Sequence, residues 1–449
     1  MPPLDSPASD LKQTPLWWET APRERDSGAT LPRSADIVII GAGYTGLSCA
    51  LALARAGRSV TVIDSGAPGF GASSRSGGIV GHGHRLSYAK LEARYGTPKA
   101  RAILREGVAA FDFTIGLIER ERIDVKFARV GRFRGCATAS DYETNAREAE
   151  RLRSEIGVPC EVVPRAEQHR EVASDAYQGG VVFPTHGGLH PGLFHAGLLE
   201  VARRAGATVI GYTPALRIDG TAGARRVATA RGVIKASEIV VATNGYTPRS
   251  IGLLARRFLP IPSFLIATEP LGANRVRAAI PNGRMIVETR SKHLYFRPSP
   301  DCERIILGGR AALHPIPLSD AARWLQRELG AILPDLATVQ VTHCWTGNVA
   351  FTLRELPGIG RQNGVWHALG CNGSGVALMP YLGNKLAQKI IGALDGTTAF
   401  DDLPLRPIPL YWGDPWFRPL MTAWYRLADR FESARLTLPA RQSWRNPKG

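Results

Sequence analysis

The sequence predicts an α/β fold, α+β overall, in which a domain built on a parallel sheet is interrupted by a more β-rich domain. Three stretches carry that prediction. "ADIVIIGAGYTGLSCALALARAGRSVTVIDSG" (35–66) reads as strand, tight turn, helix and strand. "GVWHALGCNGSGVALMPYLGNKLAQKIIG" (364–392) repeats the strand, glycine turn and helix near the other end of the chain. Between them, Pro260 to Arg310 alternates short β-like runs with turns, as in "IPSFLIATEP", "HLYFRP" and "RIILGGR".

Each element follows in order. Residues 1–34, rich in Pro, Ser and charge, read as a mostly irregular arm, with Trp17 and Trp18 in "PLWWETAP" expected to anchor it to the body. Leu47, Leu51 and Ala54 supply helical spacing in the first helix, and Gly57 ends it. The pattern is helical from Arg101 to Arg122 and again over 141–157, with a short strand candidate between them in "VGRFRGCAT". Next come a helix in "HPGLFHAGLLEVARRAG", one or two strands in "ATVIGYTPALRID", and a buried strand running into a glycine turn in "SEIVVATNGYTP". After residue 415, Trp416, Leu420, Trp424, Leu427 and Phe431 fall on one helical stripe with arginines among them. Such a stripe is expected to cover the protein's own body, with membrane binding as the alternative.

At 449 residues and 44% hydrophobic, the chain is long enough for two interleaved domains and too apolar for general disorder. Its longest apolar runs are strand-sized, which argues against a membrane span. Six cysteines, with no CxxC pair, argue against a zinc site or disulfide framework and suit a reducing compartment. A cytoplasmic location is expected. The net charge of +17 comes mostly from arginines spread along the chain without a dense block, so no nucleic-acid partner is expected.

Gly41, Gly43 and Gly46 form GxGxxG between a strand and a helix, and Asp64 ends the following strand. The glycines allow the tight turn, the approach of a pyrophosphate and close helix–strand packing, while the acid suits a ribose hydroxyl. This is a Rossmann-like dinucleotide site, open to NAD or FAD. The small, hydroxyl-rich "GASSRSGG" (71–78) and the turn "GCNGSG" around Gly370, Gly373 and Gly375 give an extended ligand two further handholds, which favours FAD. NAD would leave both stretches without a ligand to contact.

From Trp17 to Gly392 the chain resembles the FAD-dependent oxidoreductases of the D-amino-acid oxidase type. "GFGASSRSGG", "GGLHPGLFHAGLLEVARRAGA", "VVATNGYTP", "FLIATEPL", "LYFRP…IILGG" and "WTGNVAFTLRELPGIGR" carry the resemblance, in that order. Within the family it is most similar to the γ-glutamylputrescine oxidase subgroup, with Ser74 and Ser76 where that subgroup's GASGRNGG has Gly and Asn. The resemblance implies a glutathione-reductase-type FAD domain and an antiparallel sheet of the D-amino-acid oxidase type. It divides the chain into an arm (1–34), a discontinuous FAD-binding domain (35–110, 165–256 and 346–400), a substrate-binding domain (111–164 and 257–345) and a C-terminal helical extension (401–449).

The resemblance also implies roles. Ser73, Ser74 and Arg75 would run beside the pyrophosphate and ribityl chain, with Gly77 and Gly78 close to the flavin, and Tyr44, Thr45 and Ser65 would also bind the cofactor. Ala215 would meet adenine. Thr243, Asn244 and Gly245, and the turn Asn372, Gly373, Ser374, Gly375 and Val376, would complete the cofactor site, the last turn stabilising negative charge on the reduced ring. Tyr295, Arg310 and Trp345 would line the catalytic face, with Arg297 and Arg310 available for a substrate carboxylate. Core packing is an equal reading for Tyr295 and Trp345, and a surface ion pair competes at Arg310. Arg310 and Ala377 stand where sarcosine-oxidase relatives carry His and Lys, which puts a sarcosine-like substrate in doubt.

His82 and His84 in "GHGH" lack a third ligand, so no metal is expected. They and Cys344 are the candidates for a covalent flavin tether, and non-covalent FAD is the expectation. The activity implied is oxidation of an amine or amino-acid-like substrate by hydride transfer to flavin N5, imine hydrolysis, and peroxide formation with dioxygen. A dehydrogenase passing electrons to a quinone or carrier, an oxidase of free α-amino acids, and a non-catalytic flavin-binding protein remain open. Oligomeric state is not legible.

Overall fold

The computed structural model describes residues 10–221, 223–290 and 293–413. The stripe from Trp416 to Phe431 lies outside them; residues 401–413 carry turns and no helix.

Strand β1 (Ser34–Ile40), helix α1 (Tyr44–Arg55) and strand β2 (Val60–Ile63) form the first unit. The long helix α2 (Thr97–Arg120) leads to β3 (Arg132–Gly135), α3 (Ala139–Arg151), β4 (Glu161–Val163) and β5 (Gly180–Phe183). Helix α4 (Pro191–Arg204) and β6 (Thr208–Ile210) precede the meander β7 (Ala215–Thr221), β8 (Ala224–Thr229) and β9 (Gly232–Val241). Four strands follow: β10 (Leu259–Thr268), β11 (Met285–Glu288), β12 (Tyr295–Pro298) and β13 (Ile305–Gly309). Helix α5 (Leu318–Ile332), strand β14 (Val341–Phe351), the hairpin β15 (Gly358–Gln362) and β16 (Val365–Leu369), and helix α6 (Gly375–Ile390) complete the order.

These strands make two large sheets. The first runs β15-β16-β9-β1-β2-β6, with β8 and β7 added in turn beside β9. Its centre is parallel, from β16 through β9, β1 and β2 to β6. The buried end of β1 is a continuous apolar run and β2 is buried throughout, with Thr61 its one polar residue, as expected of strands covered on both faces. Helix α6 crosses α1 so closely that a Cβ on Gly383 would overlap the Thr45 carbonyl, and Ser48 Oγ donates to Pro380 O at 2.6 Å. The two ends of the chain are thereby packed into one layer.

The second sheet runs β14-β10-β13-β12-β11-β3-β5-β4 and is antiparallel except between β11 and β3. Its outer face buries Phe133, Phe264, Ile266, Ile286 and Phe296 against the Leu325 and Leu329 face of α5. Strand β5 lies inside the 165–256 stretch expected to serve the FAD-binding domain, yet it pairs with β3 and β4 in the second sheet. Strand β14 likewise runs across the boundary expected at 345. Sequence alternation cannot tell which sheet a short strand joins, because both sheets offer it the same backbone partners.

The arm is extended and tied down. Trp17 is 1% exposed, its Nε1–H donates to Ser76 O at 2.9 Å, and Trp18 Nε1–H donates to Ser74 Oγ at 2.9 Å. Further back, Lys12 pairs beside β14, with Lys12 N donating to Thr342 O and Cys344 N to Lys12 O, both at 3.0 Å. Among the described residues no helix is long and apolar enough to cross a membrane.

Candidate active site: two joined cavities

The turn after β1 is built by its neighbours. Gly41 N donates to Ile63 O at 2.8 Å, and Gly41 adopts φ +108° with Ala242 C and O at 2.9 Å from where a Cβ would stand. No other residue fits there. Ala42 N donates to Asp64 Oδ2 at 2.8 Å and Gly66 N to Asp64 Oδ1 at 3.1 Å. Burial pushes the Asp64 carboxyl up, while the N–H groups of Ala42, Gly66 and Ser65 pull it down. Ser73 Oγ accepts from Tyr44 N at 3.0 Å, at the N-terminus of α1.

A cavity of about 250 Å³ opens on this turn, and its wall includes Gly41, Gly43, Tyr44, Thr45, Asp64, Ser65, Ser73, Ala215, Thr243, Asn244, Gly373, Gly375 and Val376. A second cavity of about 480 Å³ takes Arg75, Gly77, Gly78, Asn372, Ser374, Tyr295 and Arg310 into its wall. Ala72, Ser76, Asn348, Val349, Gly373 and Val376 line both, so the two are continuous. The N-terminal ends of α1 and α6 both contribute to the wall, and their free N–H groups favour negative charge.

Several residues expected in the site support it from behind. A Cβ on Gly46 would overlap the Gly41 carbonyl, so Gly46 serves helix–strand packing. Ser74 is fully buried and its hydroxyl donates to Gly69 O at 2.6 Å. Gly245 lies against Asn348, whose O would be 2.9 Å from an added Cβ. Asn244 and Asn372 adopt φ +43° and +49°. Asn244 Oδ1 accepts from Gly370 N, and Asn372 Oδ1 from Thr352 N, each at 2.9 Å, which ties the two glycine turns together. The Arg75 cation lies over both the Trp18 and Phe70 rings, at 4.5 and 4.3 Å from their centroids.

Two expectations for the substrate face are corrected. Arg297 is absent from the wall of the second cavity: it is 2% exposed and its Nη1 donates to Gly78 O at 3.2 Å and Leu189 O at 2.9 Å. Gly78 O also accepts from Leu189 N at 2.9 Å, so the guanidinium braces a backbone contact behind the glycines it supports. Trp345 is fully buried and gives its Nε1–H to Arg75 O at 2.7 Å. Tyr295 and Arg310 do line the cavity; Tyr295 Oη lies 3.3 Å from Ser263 Oγ, and the Arg310 cation sits 4.8 Å over Phe351. The sequence reading missed Arg85, Arg132, Arg134, Glu288 and His293 in the same wall. One signal was available: "RFRG" puts two arginines on one face of a strand whose other face is apolar.

The joined cavities fit FAD. A slot lined by glycines, an acid and two helix N-termini, opening into a second chamber, matches an extended dinucleotide with a ring system beyond it. The DAO family (FAD dependent oxidoreductase) matches residues 36–389. The chain belongs to this family. It is an enzyme, an FAD-dependent oxidoreductase. It is 33% identical over 423 residues, 92% of this chain and 97% of the relative, to a probable oxidoreductase, OrdL, of Rhizobium meliloti (strain 1021). It is 30% identical over 405 residues, 88% of this chain and 93% of the relative, to the gamma-glutamylputrescine oxidoreductase of Escherichia coli (strain K12). Among solved structures, glycine oxidase from Geobacillus kaustophilus shares the fold at a TM-score of 0.69 and 20% identity, covering 85% of this chain and 100% of that one.

The residues considered as tethers are poorly placed for a bond to FAD. Cys344 is fully buried in the core behind the second sheet, and His84 Nε2 is engaged with Ile103 O at 2.8 Å. The His82 ring packs on His186 with centroids 4.1 Å apart. Precipitation of this DAO-family enzyme with acid should therefore leave a white pellet and a yellow supernatant. A yellow pellet would show a covalent link.

Proposed function

We propose that this enzyme oxidises an amine that also carries a carboxylate, of the γ-glutamylputrescine kind. The observation behind the reading is the second cavity, which joins the cofactor slot at Ser76 and Gly373 and has Arg85, Arg132, Arg134 and Arg310 in its wall. A chamber so rich in guanidinium suits an anionic substrate. The identity to the E. coli enzyme over most of both chains supports the same class.

FAD, when bound, supplies the acceptor for the electron pair that leaves with the hydrogen of the amine's α-carbon. The chain's own residues bind and orient. Tyr295 packs on Gly77, where an added Cβ would be 2.7 Å from its Cε2, so the ring forms a wall beside the glycine pair. Burial raises the Tyr295 phenol, which stays protonated and can donate a hydrogen bond. His293, also in the wall, is pushed down to about 3 by burial and the nearby Arg310 and Arg85 cations, so it stays neutral. The imine formed by loss of hydride hydrolyses to an aldehyde, and dioxygen or an electron carrier removes the electrons.

The test is the visible spectrum of the purified enzyme under anaerobic conditions during addition of amines. Bleaching of oxidised flavin by γ-glutamylputrescine, and not by sarcosine or glycine, is the expected result. A flavin spectrum that no amine bleaches would remove the amine oxidase and keep the family.

A further inference from the structure

The "GHGH" loop (81–84) has no part in the redox chemistry above, and it lies beside Arg132, which has no counter-ion among the described residues. On β3, alternation sends Phe133 into the core and turns Arg132 and Arg134 toward the second cavity, over the Phe183 ring at 5.0 and 5.4 Å. Arg134 Nη1 donates to Asn145 Oδ1 at 3.1 Å. Arg132 makes no ion pair among the described residues, and its Nε and Nη2 are buried with no hydrogen-bond partner. Around it, His82 Nε2 and His186 Nδ1 are also buried without partners. Burial and the Arg132 charge hold His82 down to about 3 and His186 well below its ordinary value, so neither histidine adds a charge. Gly81 lets the loop come this close, since a Cβ there would meet His186 Nδ1 at 2.5 Å, and Gly83 lies beside Arg132, where a Cβ would make an ordinary contact 3.5 Å from Nη2.

A buried guanidinium with two idle donors is costly, and it is far less so once an anion fills them. Nε and Nη2 share one edge of the planar group, the spacing that a carboxylate accepts with both oxygens. The position is informative too. Tyr295 pairs with Val287, which pairs in turn with Arg134, and Met285 pairs with Arg132. Arg132 is thus two strands across from Tyr295 and two residues along, a span of about 10–12 Å at ordinary strand spacings. A carboxylate held there belongs to a substrate that carries it many bonds from the reacting amine, and glycine cannot reach both places.

We propose that Arg132, backed by the GHGH loop, forms a subsite for the carboxylate at the end of the substrate remote from the oxidised amine. The assignment rests on the reading of the second cavity as the substrate chamber. It is tested with wild type, Arg132→Met and Arg132→Lys, using γ-glutamylputrescine and N-acetylputrescine, which presents the same amine without the carboxylate. Anaerobic flavin reduction gives an apparent Kd for each. The wild-type preference for the carboxylated amine should fall by about 10- to 100-fold in Arg132→Met, the loss expected for a charge-assisted pair, with Arg132→Lys in between. An unchanged preference in both variants overturns the subsite. If Arg132→Met does not hold flavin, Arg132→Lys carries the comparison, and an unchanged preference there overturns it equally.

Glutarate, which cannot be oxidised, separates this idea from the proposed function. If neither amine reduces the wild type, the amine-oxidase reading fails, and titration calorimetry with glutarate still decides the subsite. Binding that is weakened by the Arg132 substitutions sustains it, and no binding to wild type overturns it. Chloride binding as tightly as glutarate would make this a plain anion site and also overturn it.

Discussion

A Gly46→Ala enzyme will purify without flavin and unfold at lower denaturant than wild type. The reason lies in one methyl group. A Cβ at this position of α1 would overlap the Gly41 carbonyl oxygen and stand 3.2 Å from Ile39 Cγ2. Neither neighbour can yield. Gly41 N is held by Ile63 O in the centre of the parallel sheet, and the Ile39 side chain is fully buried. Overpacking against side chains costs about 1–3 kcal/mol; against a fixed carbonyl we expect about 3–5 kcal/mol, spent in pushing the start of α1 off the strand. That shift spoils the turn which brings Gly41 and Gly43 to the cavity and the Ala42 N–H to Asp64. The absorbance ratio of flavin to protein and a urea unfolding curve together check it. Full flavin content in Gly46→Ala would show that the helix can relax and that the contact is slack.

The second large effect is expected at Arg297. Arg297→Met should cost about 3–5 kcal/mol of stability, because it removes a buried donor that Leu189 O and Pro298 O share, while Gly78 O keeps only its bond from Leu189 N. Nη1 donates to Gly77 O at 3.4 Å, Gly78 O at 3.2 Å and Leu189 O at 2.9 Å, and Nε to Pro298 O at 3.0 Å. Burial pulls its pKa down to about 10, so it stays charged at neutral pH. Methionine fills similar space and offers no donor. The measurement is a pair: the denaturation midpoint, which should drop, and the apparent Kd for the amine in whatever flavin-loaded enzyme survives, which should move much less. A large rise in that Kd with stability intact would return Arg297 to the substrate.

The contrast between Arg297 and Arg132 shows where sequence reading stops. Both arginines occur in short β-like runs, "YFRP" and "RFRG", and nothing local separates them. The first is behind the glycines and the second faces the cavity, because β12 and β3 take different places in one sheet. By contrast, the turn of Gly41 to Gly46 and the acid Asp64 were legible, since strand, turn, helix and acid all lie within 31 residues of contiguous sequence, from Ser34 to Asp64. The same holds for the helix 97–120, whose apolar spacing is local. Gly46 packs helix on strand as the fingerprint implies, whereas Ser74 and Gly245, expected at the cofactor, support the site from behind, because a small residue looks the same in sequence whether a cofactor or a carbonyl crowds it. The sheet that strand β5 joins was not legible for a similar reason: its register is decided by β3, some 48 residues earlier, counting from Arg132 to Gly180.

The docked arm has a consequence for how the molecule is made. It is among the first parts of the described chain to leave the ribosome, yet Glu19 meets His343 across 324 residues, and Lys12 binds the strand that holds Thr342 and Cys344. Trp17 rests on Trp345, with ring centroids 6.3 Å apart. During synthesis those partners do not exist, and the two tryptophans must wait as an exposed apolar pair until β14 has been translated. The loop 71–78 waits with them, since Ser74 and Ser76 take hydrogen bonds from both indoles. The arm, though made early, therefore seats late, after β14 has emerged, and it closes on the loop 71–78 that lines the slot.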